Sequence, residues 1–182
     1  MSTIRSLAID VDNVLADSIA RWCVLARSSG CSVVKEQIKS HKLVGSVPME
    51  PRKIFELQDA VWRDWQNVPP TEPSQSAMID ELRKRHIKIM IVTSGPTRHG
   101  SGIQSWLGAH QLSYDEFHNL ARGVSKATIS ADALVDDVPE SVRSFTSIGR
   151  VGFLYSQPWN KTSRITNSIV IGSLGDIVKH LA

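Results

Sequence analysis

The sequence is short of the residues that mark several classes of protein. It has two cysteines among 182 residues, and Cys23 and Cys31 do not form a Cys-x-x-Cys motif. Neither a disulfide framework nor a redox pair is therefore indicated, and Cys23 falls on an apolar helical stripe that favours a buried thiol. Lysine and arginine form no long run, and the formal net charge is only +3. The sequence therefore demands no nucleic-acid-binding surface.

Long apolar runs are also missing. No stretch approaches the length that spans a membrane, and the N-terminal residues lack the basic-then-apolar pattern of a signal peptide. We therefore expect a cytoplasmic protein with no membrane or nucleic-acid partner, and the sequence leaves its oligomeric state open between monomer and homodimer. The length, with 41% hydrophobic and 21% charged residues, suits one globular domain or one domain with a modest insertion.

Apolar periodicity alternates between strand and helix along most of the chain. Apolar runs predict strands at residues 5–12, 87–92, 114–120, 133–135, 151–155 and 168–171. Helical stripes separate most of these strands, with one before residue 87, one along Ile103, Trp106 and Leu107, and a closing one from Leu174 to Leu181. Helical connections between strands favour a parallel sheet.

Residues 16–72 contain helical patterns but no convincing strand. Helices are predicted from about Asp17 to Ser28, from Val34 to about Lys39, and along the stripe formed by Ile54, Leu57, Val61 and Trp65. We therefore predict an α/β fold with a Rossmann-like parallel sheet flanked by helices. Residues 1–15 and 73–182 form its core domain, and residues 16–72 form a small all-helical cap inserted after the first strand.

Polar residues follow three of the predicted strands. They form the pairs Asp10 and Asp12, Thr93 and Ser94, and Asp136 and Asp137. Ligands of open parallel sheets collect at the carboxyl ends of strands, so we expect these side chains to converge. Two neighbouring acids are tolerated mainly when they share a cation or a proton. One interpretation of Asp10 and Asp12 is a Mg²⁺ site with a carboxylate nucleophile. A polar strand end with Asp as a turn residue is the commoner explanation of so short a pattern when it stands alone.

The other polar groups complete a set that suits phosphoryl transfer from a monoester. The hydroxyls and backbone N–H groups at Thr93 and Ser94 could hold phosphoryl oxygens, or could only cap a helix. Lys126 could compensate negative charge, or could be a solvated turn lysine. Asp136 and Asp137 could hold Mg²⁺, or could favour a following helix. Their joint order along the chain favours the functional interpretation.

With these motifs in place, the sequence resembles the haloacid-dehalogenase (HAD) superfamily of phosphatases. The matching residues are Asp10-Val11-Asp12, Thr93, Lys126 and Asp136-Asp137. The resemblance implies that Asp10 is the nucleophile and Asp12 the general acid and base. It also implies that Thr93 binds the phosphoryl group, that Lys126 steadies the charged intermediate, and that Mg²⁺ is held by the Asp10 side chain, the Asp12 carbonyl and one carboxylate of Asp136-Asp137.

The more detailed resemblance is to the 5'(3')-deoxyribonucleotidase family. It includes the run from Asp10 to Asp17, the cap insertion, and the later Gln157-Pro158-Trp159-Asn160. Asn13 stands where glycine is usual, and Ser18 stands where animal members carry an aromatic residue of the base pocket. Four cap aromatics could stack on a base or form a helical core: Trp22, Phe55, Trp62 and Trp65. Arg98 could contact a substrate anion or lie on the surface.

The function expected from the resemblance is a Mg²⁺-dependent phosphomonoesterase that forms an aspartyl-phosphate and hydrolyses (deoxy)nucleoside monophosphates. One alternative is a HAD phosphatase acting on a sugar phosphate or another small metabolite. Another is a non-catalytic metabolite-binding module of the same fold, although such a module has no physical need for both Asp10 and Asp12.

Overall fold

A six-stranded parallel sheet forms the centre of the molecule, in a computed structural model that describes residues 4–181. The strands run in the spatial order β3-β2-β1-β4-β5-β6, and every neighbouring pair is parallel. They are β1 (Ser6–Ile9), β2 (Lys88–Ser94), β3 (Glu116–Leu120), β4 (Ala133–Asp136), β5 (Val151–Tyr155) and β6 (Ser168–Ile171). This is the Rossmann strand order, in which the order reverses between β1 and β4.

Six α-helices accompany the sheet within residues 4–181. They are α1 (Ser18–Ser28), α2 (Pro51–Arg63), α3 (Gln75–Lys84), α4 (Gly100–Ala109), α5 (Pro139–Thr146) and α6 (Gly175–Val178). Successive residues of β1 face opposite sides of the sheet. Ala8 packs in one apolar cluster with Phe145 of α5, whereas Leu7 packs in the other with Trp106 of α4. Both faces of the sheet are therefore covered, and the predicted fold class is confirmed.

The first strand is shorter than predicted. The ladder ends at Ile9, although the Asp10 N–H still donates to the Val135 carbonyl at 3.0 Å. Beyond it the chain turns through Asn13, whose φ of 62° lies in the left-handed region that Asn tolerates. Asp12 therefore lies beyond the strand, in an isolated β-bridge with Ala16 just before the turn at residues 13–15.

The cap region has fewer α-helical turns than predicted. The helix expected from Val34 to about Lys39 is a single 3₁₀ turn, Lys35–Gln37, because Ile38 is already extended and the segment is too short to hold an isolated α-helix. The stripe predicted to reach Trp65 is divided, since α2 ends at Arg63 and a separate 3₁₀ turn covers Trp65–Asn67.

The closing helix is also shorter than its stripe predicted. Only Gly175–Val178 is α-helical. The N–H groups of Lys179 and Leu181 instead bond three residues back, to the carbonyls of Asp176 and Val178, which is the pattern of a 3₁₀ turn. Across the described residues, no helix is both long and apolar enough to cross a membrane.

The cap region leaves and rejoins the sheet through two adjacent segments. The Asp17 N–H donates to the Pro69 carbonyl at 2.8 Å, and the Thr71 N–H donates to the Leu15 carbonyl at 2.8 Å. Beside this junction, the Glu72 carboxylate accepts a bond from the Tyr155 hydroxyl at 2.7 Å. The division into a core of residues 1–15 and 73–182 and a cap of residues 16–72 stays a prediction.

Candidate active site

The polar strand ends meet in one cavity of about 920 Å³ between the sheet and the cap region. Of the eight residues singled out around the chemistry, those that line this cavity are Asp10, Asp12, Ser18, Thr93, Ser94, Lys126 and Asp137. Asp136 lies directly behind them and is fully buried. The expected convergence therefore occurs, because the carboxyl ends of β1, β2 and β4 lie at one edge of the sheet.

A buried lysine connects two of the acids. Lys126, on the 3₁₀ turn Lys126–Thr128, contacts Asp10 Oδ1 at 2.6 Å and Asp136 Oδ2 at 2.7 Å through its Nζ. Burial alone would lower the pKa of Lys126, but the two carboxylates outweigh it and raise that pKa above its ordinary value. The solvated turn lysine considered from the sequence is therefore excluded, and Lys126 is a cation inside the site.

The acids outnumber this cation. Burial is the largest influence on Asp10 and raises its pKa to about 8. The positive charge of Lys126 opposes this rise, and repulsion from Asp136 and Asp12 adds to it. Burial, with repulsion from Asp136 and Asp10, also raises the pKa of Asp137. These shifts indicate a site that is short of positive charge and would gain from a bound cation.

Three carboxylates have the geometry to hold that cation. Asp10, Asp136 and Asp137 each offer one oxygen, and these oxygens lie within 4.8 Å of one another. Carboxylate oxygens are the donors that Mg²⁺ prefers in proteins. The residues present therefore fit a magnesium ion, with the Asp12 side chain outside this group of three.

Asp136 and Asp137 differ in the oxygens they leave open. Asp136 accepts from Lys126 with Oδ2 and from the Val138 N–H with Oδ1, at 2.7 and 2.8 Å. Asp137 accepts from the Trp159 indole with Oδ2 at 3.0 Å, and its Oδ1 has no hydrogen-bond donor among residues 4–181. Since Asp137 also lines the cavity, it is the better placed of the two to reach a metal ion.

Asp12 has different surroundings from Asp10. It is partly exposed, and its Oδ1 accepts a hydrogen bond from the indole N–H of Trp62, on α2, at 3.1 Å.

The phosphate-binding candidates lie in the same cavity at the end of β2, where Thr93 is buried and Ser94 is exposed. The following residue, Gly95, donates its N–H to the Leu120 carbonyl at 3.1 Å and fixes this turn against β3.

The segment Gln157-Pro158-Trp159-Asn160 supports the site from behind. The Gln157 side chain donates to the Asn13 carbonyl at 2.6 Å, and the Asn160 side chain donates to the Asp137 carbonyl at 2.7 Å. The backbone N–H of Gln157 in turn donates to Asn160 Oδ1 at 2.9 Å. The sequence indicated this segment only as part of a family resemblance, because no local pattern links it to residues 13 and 137.

The cap aromatics divide into two groups. Trp22, Phe55 and Trp62 line the cavity, whereas Trp65 packs on the apolar core. Phe55 is 42% exposed, and the guanidinium of Arg122 lies 5.2 Å from the centre of its ring. Trp22 is buried and donates its indole N–H to the Ile54 carbonyl at 3.4 Å.

Two polar residues that bear on specificity are engaged within the protein. The Ser18 hydroxyl donates to Asn13 Oδ1 at 3.3 Å, so the position where relatives carry an aromatic is polar here. Arg98 forms an ion pair at 2.5 Å with Asp59 of α2, which also contacts His99 at 2.7 Å. These hydrogen bonds outweigh burial and lower the pKa of Asp59. Arg98 therefore joins the turn after β2 to the cap region.

The Rossmann strand order, with acids after β1 and β4 and a buried lysine between them, defines a HAD-superfamily hydrolase. Residues 3–169 match the family described as 5' nucleotidase, deoxy (pyrimidine), cytosolic type C protein. The chain belongs to this family, and it is a phosphatase of the 5'-nucleotidase type. The resemblance predicted from the motifs is thus confirmed. No curated protein matches the chain.

Solved structures share the fold at low sequence identity. A predicted phosphoglycolate phosphatase from Haemophilus somnus is 12% identical with a TM-score of 0.68, and the match covers 100% of both chains. A Bacillus subtilis protein assigned as a HAD-hydrolase, solved bound to magnesium, is 12% identical with a TM-score of 0.63 over 99% of each chain. A hydrolase from Pseudomonas syringae is 15% identical with a TM-score of 0.59 over 97% of each chain. At these identities the likeness shows the fold alone.

Proposed function

We propose that this protein is a Mg²⁺-dependent phosphomonoesterase that forms an aspartyl-phosphate on Asp10 and hydrolyses (deoxy)nucleoside monophosphates in the cytoplasm. The observation that carries the proposal is the surroundings of Asp10. Its Oδ1 is held by Lys126, its Oδ2 has no hydrogen-bond donor among residues 4–181, and the residue lines the cavity. One oxygen is therefore open to attack a phosphorus atom.

The first step transfers the phosphoryl group to Asp10. Asp10 Oδ2 forms a bond to phosphorus as the bond to the leaving oxygen breaks, and Asp12 gives that oxygen a proton. The hydroxyls and backbone N–H groups at Thr93 and Ser94 hold the phosphoryl oxygens. In the second step Asp12 takes a proton from water, whose oxygen attacks phosphorus and releases Asp10.

Charge balance explains the remaining residues. Mg²⁺, when bound, neutralises the charge on the transferring phosphoryl group. We propose the side chains of Asp10 and Asp137 and the carbonyl of Asp12 as its protein ligands. Asp136 holds Lys126 against Asp10 through the 2.7 and 2.6 Å contacts, so the lysine favours the ionised form of the nucleophile despite its burial.

The substrate class is supported by the family and by the cavity wall. Phe55 lines the cavity and is 42% exposed, and aromatic side chains of this kind stack on nucleobases. Ser18 favours a second candidate, a sugar phosphate or another small metabolite without a base. A polar residue lines the cavity at this position, so one of the aromatic residues expected to contact a base is missing.

A substrate panel separates the two candidates. Purified protein is assayed with Mg²⁺ against deoxynucleoside and ribonucleoside monophosphates, sugar phosphates and phenyl phosphate, with Asp10→Asn as the control for contaminating phosphatase. The proposal predicts the highest kcat/KM on a nucleotide. A higher kcat/KM on sugar phosphates would reject the nucleotide assignment, and the absence of hydrolysis of every compound would reject the phosphatase mechanism.

A further inference from the structure

We infer that Trp62 and Trp159 are positioning residues: each indole N–H occupies one oxygen of an active-site carboxylate and leaves the other oxygen to the reaction. Trp62 acts in this way on Asp12, and Trp159 on Asp137. The inference rests on the proposed function for the roles of the two carboxylates, but the two hydrogen bonds are features of the structure itself.

Trp62 reaches Asp12 from the cap region across 50 residues of sequence. The donor–acceptor distance of 3.1 Å to Oδ1 is normal for an N–H···O bond, and the side chain is 4% exposed. Its backbone is also fixed, because a Cβ on Gly102 of α4 would lie 2.3 Å from the Trp62 carbonyl oxygen. Helix α4 therefore supports Trp62 at the distance that its hydrogen bond requires.

This hydrogen bond distinguishes the two oxygens of Asp12. The oxygen that accepts the indole N–H is the less basic of the two, so Oδ2 carries the proton that the leaving group needs and Oδ1 remains the acceptor. Without the indole, the partly exposed carboxylate could rotate and present either oxygen. Trp62 thus contributes to proton delivery without contacting the reacting atoms.

Trp159 performs the corresponding task for the metal ligand. Its indole donates to Asp137 Oδ2 at 3.0 Å, and the adjacent Asn160 donates to the Asp137 carbonyl at 2.7 Å and to the Tyr155 carbonyl at 2.8 Å. The side chain and the backbone of Asp137 are therefore held by consecutive residues. Asp137 Oδ1 is left without a hydrogen-bond donor among residues 4–181, and groups that orient ligands in this way tune metal affinity.

The chain offers a matched control in a third tryptophan. Trp106 of α4 is fully buried and donates its indole N–H to the Val68 carbonyl at 2.8 Å. It has a similar hydrogen bond but no carboxylate partner and no place in the cavity wall. Trp106→Phe therefore reports the general effect of removing a buried indole N–H.

The Trp159 arm is measured by calorimetric titration of Mg²⁺ into the protein without substrate. Trp159→Phe is expected to weaken Mg²⁺ binding by about 10- to 100-fold, the usual effect of losing a group that orients a ligand. The Mg²⁺ affinities of the wild type, Trp62→Phe and Trp106→Phe are expected to agree within about twofold. Unchanged Mg²⁺ affinity in Trp159→Phe would overturn this arm.

The Trp62 arm is measured by single-turnover release of the alcohol from phenyl phosphate and p-nitrophenyl phosphate. Phenolate leaves poorly without a proton, whereas p-nitrophenolate leaves well without one. Trp62→Phe is expected to slow the cleavage of phenyl phosphate about tenfold, which is part of the 10²- to 10⁴-fold that a general acid contributes. The cleavage of p-nitrophenyl phosphate is expected to slow much less. Equal slowing of both compounds would overturn this arm.

A further substitution covers the case in which a phenylalanine variant does not fold. Benzothienylalanine keeps the two-ring shape of tryptophan and lacks the N–H, so it removes only the hydrogen bond. Wild-type protein without activity on any phosphate ester would reject the proposed function and leave the Mg²⁺ titration as the test of Trp159. If the wild-type protein is active but Trp159→Phe and Trp62→Phe have the same Mg²⁺ affinity and the same turnover as Trp106→Phe, the inference is rejected and the proposed function is not.

Discussion

Asp10 and Asp12 are two residues apart but have opposite environments. Asp10 is 4% exposed and paired with Lys126, whereas Asp12 is partly exposed and bonded to an indole. A nucleophile gains from a neighbouring cation that keeps it ionised, and a proton carrier gains from an uncharged donor that leaves its second oxygen free. Their different roles therefore follow from different neighbours.

Asp12→Asn is expected to lower kcat on a nucleoside monophosphate by about 10²- to 10⁴-fold, because the amide keeps the shape but carries no transferable proton. Steady-state hydrolysis with saturating Mg²⁺ measures this effect. Asp80→Asn, on the exposed face of α3, is the matched control and should retain wild-type turnover. Turnover within about threefold of wild type in Asp12→Asn would contradict the proton-transfer role.

The sequence predicted which residues form the candidate site better than it predicted which side chains form hydrogen bonds with them. Asp10, Thr93 and Asp137 follow apolar runs that are visible locally, so strand ends alone placed them together, whereas Lys126 follows a turn and was included because of its order along the chain. The bonds from Trp62 to Asp12 and from Gln157 to Asn13 span 50 and 144 residues. No local periodicity encodes such contacts, and they therefore appear only in the folded structure.

At the scale of elements, the cap and core meet where α2 crosses α4. The approach depends on Gly102, where a Cβ would lie 2.3 Å from the Trp62 carbonyl oxygen. A second contact joins the same helix to the turn after β2, through Asp59 and Arg98. Helix α2 therefore fixes both the proton carrier and the phosphate-binding turn relative to the cap.

Gly102→Ala is expected to lower the free energy of unfolding by about 1–3 kcal/mol, because the methyl group cannot fit without separating the two helices. Gly108 of the same helix is the matched control, since a Cβ there meets nothing within 4 Å. Gly108→Ala should raise the free energy of unfolding by about 0.5–1 kcal/mol through helix propensity. Urea unfolding measures both variants, and equal stability of the two would contradict the close helix crossing.

Elements were predicted best where the apolar periodicity is unambiguous. The strands β2 and β5 and the helices α1 and α3 follow clear periodicity and lie where expected. The segment around Lys35–Gln37 is different, because a pattern of six residues fits either a helix or a single turn. The end of β1 was misplaced because a buried apolar run does not reveal the turn at Asn13.

At the scale of the whole molecule, the sheet edge gathers negative charge that the protein does not neutralise by itself. Asp10, Asp136 and Asp137 lie close together, and one buried lysine contacts only Asp10 and Asp136 among them. A cation that binds the folded state alone stabilises it by mass action. Metal binding and folding stability are therefore expected to change together.

Treatment with EDTA is expected to abolish turnover and to lower the melting temperature, and both should return on addition of Mg²⁺. Differential scanning fluorimetry with and without Mg²⁺, run beside the activity assay, measures the two effects. In Asp137→Asn the Mg²⁺-induced rise in melting temperature should be lost, since a charged ligand oxygen is replaced by an amide. Full activity in EDTA would refute the metal role.

The central claim, that Asp10 is the nucleophile, is tested most directly by the turnover of Asp10→Asn on phenyl phosphate with saturating Mg²⁺. The amide retains the shape of the side chain but cannot accept the phosphoryl group, so the account predicts hydrolysis at the level of the buffer alone. Asp80→Asn, assayed beside it, should match wild type. Hydrolysis by Asp10→Asn at the wild-type rate would contradict the account.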